Sequence, residues 1–191
     1  MKFEVSSACS QEDIDLLLQA SDLARDIPGD IIELGSYKGA SAMALAGRNT
    51  HKLVYACDLF GGNPYPERKT FDYLSDVNFA EVLKSIVMFP NIRVIRGMHE
   101  DTIPLLPIDK VSFLFLDSDW YESHIVGLKY LAQKIPVGGI VAFHDWRFGE
   151  VQQAAIESLA QEEWEFIEGQ FEYVQDKQGM AFIRRINAVH L

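Results

Sequence analysis

Glu33-Leu34-Gly35-Ser36-Tyr37-Lys38-Gly39-Ala40-Ser41 is the stretch that decides how this chain folds. It follows the apolar run Ile31–Leu34 and leads into a helical pattern over Tyr37–Ala46. It therefore reads as the junction of a buried strand and a crossover helix. Gly35 lets the backbone turn sharply and approach a ligand, and Gly39 lets the helix pack closely on the strand. The spacing E-x-G-x-x-x-G lacks the full G-x-G-x-x-G of dinucleotide binders. With no pyrophosphate to cradle, the turn suits a ligand with an amino-acid tail. Ser36 and neighbouring amides can receive a carboxylate, and Glu33 can attract a cation. The bland alternative is an ordinary strand–turn–helix with structural glycines.

Outward from that turn, short apolar strands alternate with helical patterns. Ser10–Arg25 reads as a helix with Ser10 as N-cap and Asp13 three residues on. Pro28-Gly29 ends it. Strands are expected at Leu53–Cys57, Ile92–Ile95, Val111–Leu116 and Gly139–Phe143, and helices at Phe71–Met88, Tyr121–Lys134 and Glu150–Leu159. Alternation of this kind predicts a doubly wound α/β fold whose sheet is mostly parallel and covered on both faces. Trp164–Phe171 and Met180–Arg185 read as two further strands. The turn region 175–179 between them is too short for a crossover, so the pair must be antiparallel. Seven strands result, with an antiparallel strand near one edge. The chain reads as one domain over 1–191, with a helical segment at 1–29, a core at 30–146, and a helix plus antiparallel pair at 147–191.

In an open α/β sheet, ligands bind beyond the carboxyl ends of the strands. After the second strand comes Asp58-Leu59. A carboxylate there can accept both hydroxyls of a ribose, at about the interval of roughly 20 residues expected from the glycine turn. It can instead cap a turn before Leu59-Phe60-Gly61-Gly62. After the third strand, Gly97 and Met98 are placed to flank a base, and His99 reads equally well as a surface histidine at a helix start. The fourth strand ends in Asp117-Ser118-Asp119 and the fifth in His144-Asp145-Trp146. Neighbouring strands bring Asp117, His144 and Asp145 together. These groups can hold a divalent ion or act as a general base, with His144 suited to neutral pH. Asp119 is expected to cap the following helix. A structural hydrogen bond is the plain alternative for the His144-Asp145 pair. The irregular stretch 60–73 carries Phe60, Tyr65, Phe71 and Tyr73, and can form a lid or simply pack on the domain.

The bulk properties narrow the partners. The chain has 191 residues and a formal net charge of -11, so a phosphate-backbone surface is not expected. Its two cysteines, Cys9 and Cys57, show no metal-finger spacing, and Cys57 is expected in a buried strand. The first residues lack the basic-then-apolar pattern of a signal peptide. No apolar run approaches membrane-spanning length. A cytoplasmic protein with a small-molecule partner is expected, without nucleic acid or membrane; assembly into a homo-oligomer stays open.

The blocks ELGSYKGAS, CDLFGG, RGMHEDTIP, LDSDWYES and GGIVAFHDW together resemble the class I S-adenosylmethionine-dependent methyltransferases. They are most similar to the macrocin O-methyltransferase group and related small methyltransferases that share the D-x-D-x-Y-x-S block. The resemblance runs from about Asp30 to Trp146. It implies methyl transfer to a hydroxyl of a sugar or other secondary metabolite, often with magnesium. It places the methionine end of S-adenosylmethionine on Gly35–Ser41, including Tyr37, Gly39 and Ser41, and the ribose on Asp58. It places a metal on Asp117, His144 and Asp145. The macrocin group has two acidic residues where this chain has His144-Asp145, and magnesium prefers oxygen ligands. The alternatives are an NAD-dependent oxidoreductase of similar fold and a non-catalytic cofactor-binding scaffold.

Overall fold

β1 (Asp30–Leu34) occupies the middle of the sheet, with parallel neighbours on both sides: β2 (Val54–Asp58) and β4 (Val111–Leu116). The computed structural model describes residues 9–62, 76–159, 164–166 and 179–186. β3 (Ile92–Arg96) lies outside β2, and β5 (Ile140–Phe143) outside β4. β7 (Ala181–Arg185) runs antiparallel to both β5 and β6 (Trp164–Phe166). The order is β3-β2-β1-β4-β5-β7-β6, a seven-stranded α/β sheet with one reversed strand. The order reverses between β1 and β4, and there a crevice opens beyond the strand ends.

Both faces of the sheet are covered, which is why the strands are apolar on both sides. Ile31, Phe113, Phe115 and Ala142 pack with Leu17, Met43 and Val82. These come from α1 (Gln11–Leu23), α2 (Ala40–Arg48) and α3 (Phe79–Ile86). Ile32, Leu114, Leu116 and Val141 face the other way, against Leu128, Leu131 and Val151. Those belong to α5 (Tyr121–Leu131) and α6 (Gly149–Ser158). A short helix α4 (His99–Thr102) follows β3. Cys57 is fully buried, as its strand position predicts.

Several boundaries differ from the sequence expectation for identifiable reasons. α2 begins at Ala40, not Tyr37, because Tyr37 (φ 48) and Gly39 (φ 83) adopt left-handed backbone. α1 carries the expected capping box between Ser10 and Asp13. α3 begins after its N-cap Asn78, whose side chain accepts from the Ala80 amide. The expected helix at Phe71–Met88 starts among residues 63–75, outside the described residues, as do Tyr65, Phe71 and Tyr73 of the expected lid. Phe60 is no lid residue: it is buried with its ring 5.2 Å from that of Phe79. The helix expected to reach Lys134 tightens into a 3-10 turn over Ala132–Lys134. The tail strands are seen only at Trp164–Phe166 and Ala181–Arg185, and the turn region 175–178 lies outside the described residues.

Candidate active site

The first wall of the crevice is backbone. At Gly35 (φ 97) the chain passes so close to β4 that a Cβ would lie 2.0 Å from the Asp117 carbonyl oxygen. Asp58, at the end of β2, accepts hydrogen bonds from the Tyr37 amide (2.8 Å) and the Phe60 amide (2.6 Å). The turn cap anticipated for Asp58 is thus present, and the same carboxylate also lines the cleft. Burial pushes its pKa up while the two amides pull it down. A carboxylate has about four acceptor sites, so about two remain for a ligand's hydroxyls.

The cleft has a volume of about 290 Å³, at the low end of the range of about 300–1,000 Å³ usual for small-molecule sites. Of the residues named as cofactor contacts, Gly35, Tyr37, Asp58, Leu59, Gly97 and Met98 line it; Glu33, Ser36, Gly39 and Ser41 do not. Glu33 is fully buried behind the turn, with the Ser36 hydroxyl donating to its Oε2. Burial pushes Glu33 up to about 8, against the pull of the Ser36 and Ser41 hydroxyls. Burial thus favours its neutral form, and Glu33 stands behind the turn, outside the lining of the cleft. Ser36 spends its hydroxyl on Glu33. Gly39 sits against Ile86 of α3, where a Cβ would come within 3.1 Å of Cδ1, so its packing partner is a helix and not the strand. His99 starts a helix as expected but is buried, its Nε2 3.3 Å from the Cys57 carbonyl oxygen. Burial pushes its pKa down.

The opposite wall is a cluster of acids around one imidazole. Asp117, Asp119, His144 and Asp145 all line the cleft. His144 Nδ1 lies 2.9 Å from Asp117 Oδ1 and 3.1 Å from Asp145 Oδ2, and its Nε2 lies 3.7 Å from Asp13 Oδ2. Burial disfavours protonation of the ring, but Asp117, Asp13 and Asp145 win and hold its pKa well above the ordinary histidine value. Those three carboxylates therefore favour the protonated ring. Asp119 (φ 61) and Asp145 (φ 56) both adopt left-handed backbone, which Asp tolerates better than most residues. Asp119 does not cap α5, whose N-cap is Trp120 with no side-chain cap bond. Instead it shares a hydrogen bond with Asp145, and burial, Asp117 and Asp145 push it up to about 8.

Two contributors arrive from the far end of the chain and were not singled out in the sequence. Cys9 donates its thiol to Asp117 Oδ2 (3.2 Å). Burial and Asp117 push that thiol well up, so it stays protonated. Asp13 accepts from the Ser10 amide (3.0 Å) and hydroxyl (2.7 Å). Burial opposes its ionisation, but His144 and Ser10 bring it down to about 2. Only the capping-box spacing hinted at Asp13; nothing local pointed to Cys9.

The chain matches the family described as Macrocin-O-methyltransferase (TylF) over residues 17–165. It belongs to that family. It is 28% identical over 146 residues to the demethyldecarbamoylnovobiocin O-methyltransferase of Streptomyces niveus, covering 65% of this chain and 55% of that one. It is 25% identical over 152 residues to the 8-demethyl-8-(2,3-dimethoxy-alpha-L-rhamnosyl)-tetracenomycin-C 4'-O-methyltransferase of Streptomyces olivaceus, covering 69% and 58%. The matched region is thus less than two thirds of the length of either relative. Among solved structures, the O-methyltransferase NovP matches with a TM-score of 0.77 at 23% identity, covering 92% of this chain and 80% of that one. The calicheamicin methyltransferase CalS11 matches at 0.72 and 17% identity, covering 90% and 78%. This macrocin-O-methyltransferase family member therefore has the class I S-adenosylmethionine-dependent methyltransferase fold, and its family implies that cofactor. No helix among the described residues is long and apolar enough to cross a membrane.

Proposed function

We propose that this chain transfers a methyl group from S-adenosylmethionine to a hydroxyl of a small molecule, a sugar or other secondary metabolite. The observation that carries the reading is one cleft with Asp58 on its backbone-built wall and Asp117, Asp119 and Asp145 on the other. Relatives named for O-methylation of novobiocin and tetracenomycin precursors support the acceptor class. Asp58 holds the ribose hydroxyls, Gly35 and Tyr37 receive the methionine end, and Leu59, Gly97 and Met98 border the adenine.

When bound, the cofactor supplies an electrophilic methyl carbon: the acceptor oxygen bonds to it as the carbon–sulfur bond breaks and the electron pair stays on sulfur. The protein's share is alignment and proton removal. Asp119, when ionised, takes the acceptor's hydroxyl proton, and its raised pKa makes that form a stronger base than an ordinary carboxylate. Asp117 and Asp145 orient it, and His144 offsets their charge.

Calorimetric titration tests the reading. S-adenosylmethionine and S-adenosylhomocysteine should both bind, NADH should not, and Asp58→Ala should abolish the heat. Binding of NADH in preference, or S-adenosylmethionine affinity untouched by Asp58→Ala, defeats it.

A further inference from the structure

Tyr37 is tied to the rest of the crevice at both ends. Its backbone is left-handed, at φ 48, a conformation that a residue with a bulky side chain keeps only where surrounding contacts fix it. The amide donates to Asp58 Oδ2 at 2.8 Å, on the carboxylate that lines the cleft. The phenol donates to Asp76 Oδ1 at 2.6 Å. The other oxygen of Asp76 pairs with Lys38 Nζ at 2.6 Å, and that ammonium lies 4.8 Å from the centre of the Tyr37 ring. Lys38 and Tyr37 hold Asp76 below the ordinary carboxylate range, so it accepts from both as an anion. Asp76 thus grips two consecutive side chains of the β1 turn from the segment just before α3. Val77, the next residue, lines the same cleft and packs against the core.

The Asp76 side chain is 57% exposed and that of Lys38 22%, and an ion pair so open to water adds little to the stability of the whole fold. Its effect is local. Without the phenol's bond, the Tyr37 backbone is free to leave the left-handed region, and its amide then swings away from Asp58. The Asp58 carboxylate keeps its other tether, the Phe60 amide at 2.6 Å, and pivots about it. We propose that Asp76 is a positioning residue for the cofactor: by holding the Tyr37 phenol, with Lys38 holding Asp76 in turn, it fixes the turn whose amide aims Asp58 at the ribose. The proposal rests on the methyltransferase reading of the cleft. Asp76 does not itself line the cleft, so it acts through Tyr37 and not by touching the ligand.

The test is calorimetric titration of the full chain with two probes. S-adenosylhomocysteine carries adenine, ribose and the amino-acid tail; 5'-methylthioadenosine carries the first two alone. Asp76→Ala should weaken both by about 5- to 30-fold, the scale of one hydrogen bond's net worth, with the melting temperature nearly unchanged. Tyr37→Phe, which removes only the phenol's bond, should weaken both alike. Because the two residues act in one chain of contacts, the double variant should lose no more than either single one. A loss confined to S-adenosylhomocysteine overturns the proposal, since Asp76 and Lys38 would then act on the tail and not through Asp58. Losses that add in the double variant overturn it too, as does unchanged affinity in Asp76→Ala. Should Asp76→Ala not fold, Tyr37→Phe decides: equal weakening of both probes supports the relay, and no weakening ends it. Wild-type protein that binds neither probe defeats the methyltransferase reading and this proposal with it, whereas wild-type binding that Asp76→Ala leaves intact defeats this proposal alone.

Discussion

The turn after β1 and the loop after β4 touch each other across the base of one crevice, yet they are held in opposite ways. The β1 turn is shaped by backbone: Gly35 at φ 97, Tyr37 at φ 48, and amides that pin Asp58. The β4 loop and the end of β5 are shaped by side chains: three acids and a histidine, braced from behind by Cys9 and Asp13. Backbone geometry is set locally and tolerates almost no change in shape. A charge cluster tolerates change of shape better, but depends on protonation and on partners from distant parts of the chain. On the proposed function, the cofactor wall is thus rigid and the reactive wall is tunable.

Breaking the rigid wall should have the largest effect. Gly35→Ala places a Cβ 2.0 Å from the Asp117 carbonyl oxygen, on a backbone angle that disfavours side chains. A loss of more than about 4 kcal/mol is expected, seen as a collapse of the denaturant midpoint. Removing the base from the tunable wall comes next. Asp119→Asn should cut turnover by about 100- to 10,000-fold while leaving S-adenosylhomocysteine affinity intact. Wild-type turnover should rise as pH passes about 8, since only the ionised Asp119 accepts a proton. A parallel loss of affinity would show that the two walls are not separable.

Glu33 sharpens the comparison from behind the turn. Its pKa rises from 4.5 unfolded to about 8 folded. A raised acid contributes stability that is whole below the unfolded pKa and drains away as pH climbs to the folded one. Thermal melts of the wild type should therefore fall between pH 4.5 and about 8 relative to Glu33→Gln, by up to roughly 3–5 kcal/mol. Parallel curves for the two proteins would mean that Glu33 is ionised in the fold. The smallest effect is at the brace. Ser10→Ala removes the cap and frees Asp13, costing about 0.5–2 kcal/mol. Its second readout is a shift of the His144 ring signals, which a merely structural cap would leave in place.

The fold was legible because its signals are short-range. Val111–Leu116 reads as a buried strand from six residues, and the structure has it with those bounds. The start of α2 was not legible, because a helical pattern at Tyr37–Gly39 gives no warning of left-handed backbone. On the reactive wall, Asp117, His144 and Asp145 were suggested by their places at neighbouring strand ends. Asp119 looked like a cap because Asp is favoured before a helix. Its actual partner, Asp145, is on another strand end.

Apolar periodicity and a glycine-marked turn determined the order of strands and helices along the chain and the edge where a ligand must bind. Only the tertiary structure decided what each polar group is there. It buried Glu33 behind the turn, and it brought Cys9 onto Asp117 across 108 positions of sequence. It also wrapped His144 in carboxylates from α1, β4 and β5. The division has one cause. Periodicity is written in neighbours along the chain, whereas a charge's state is set by burial and by whichever charges folding places beside it.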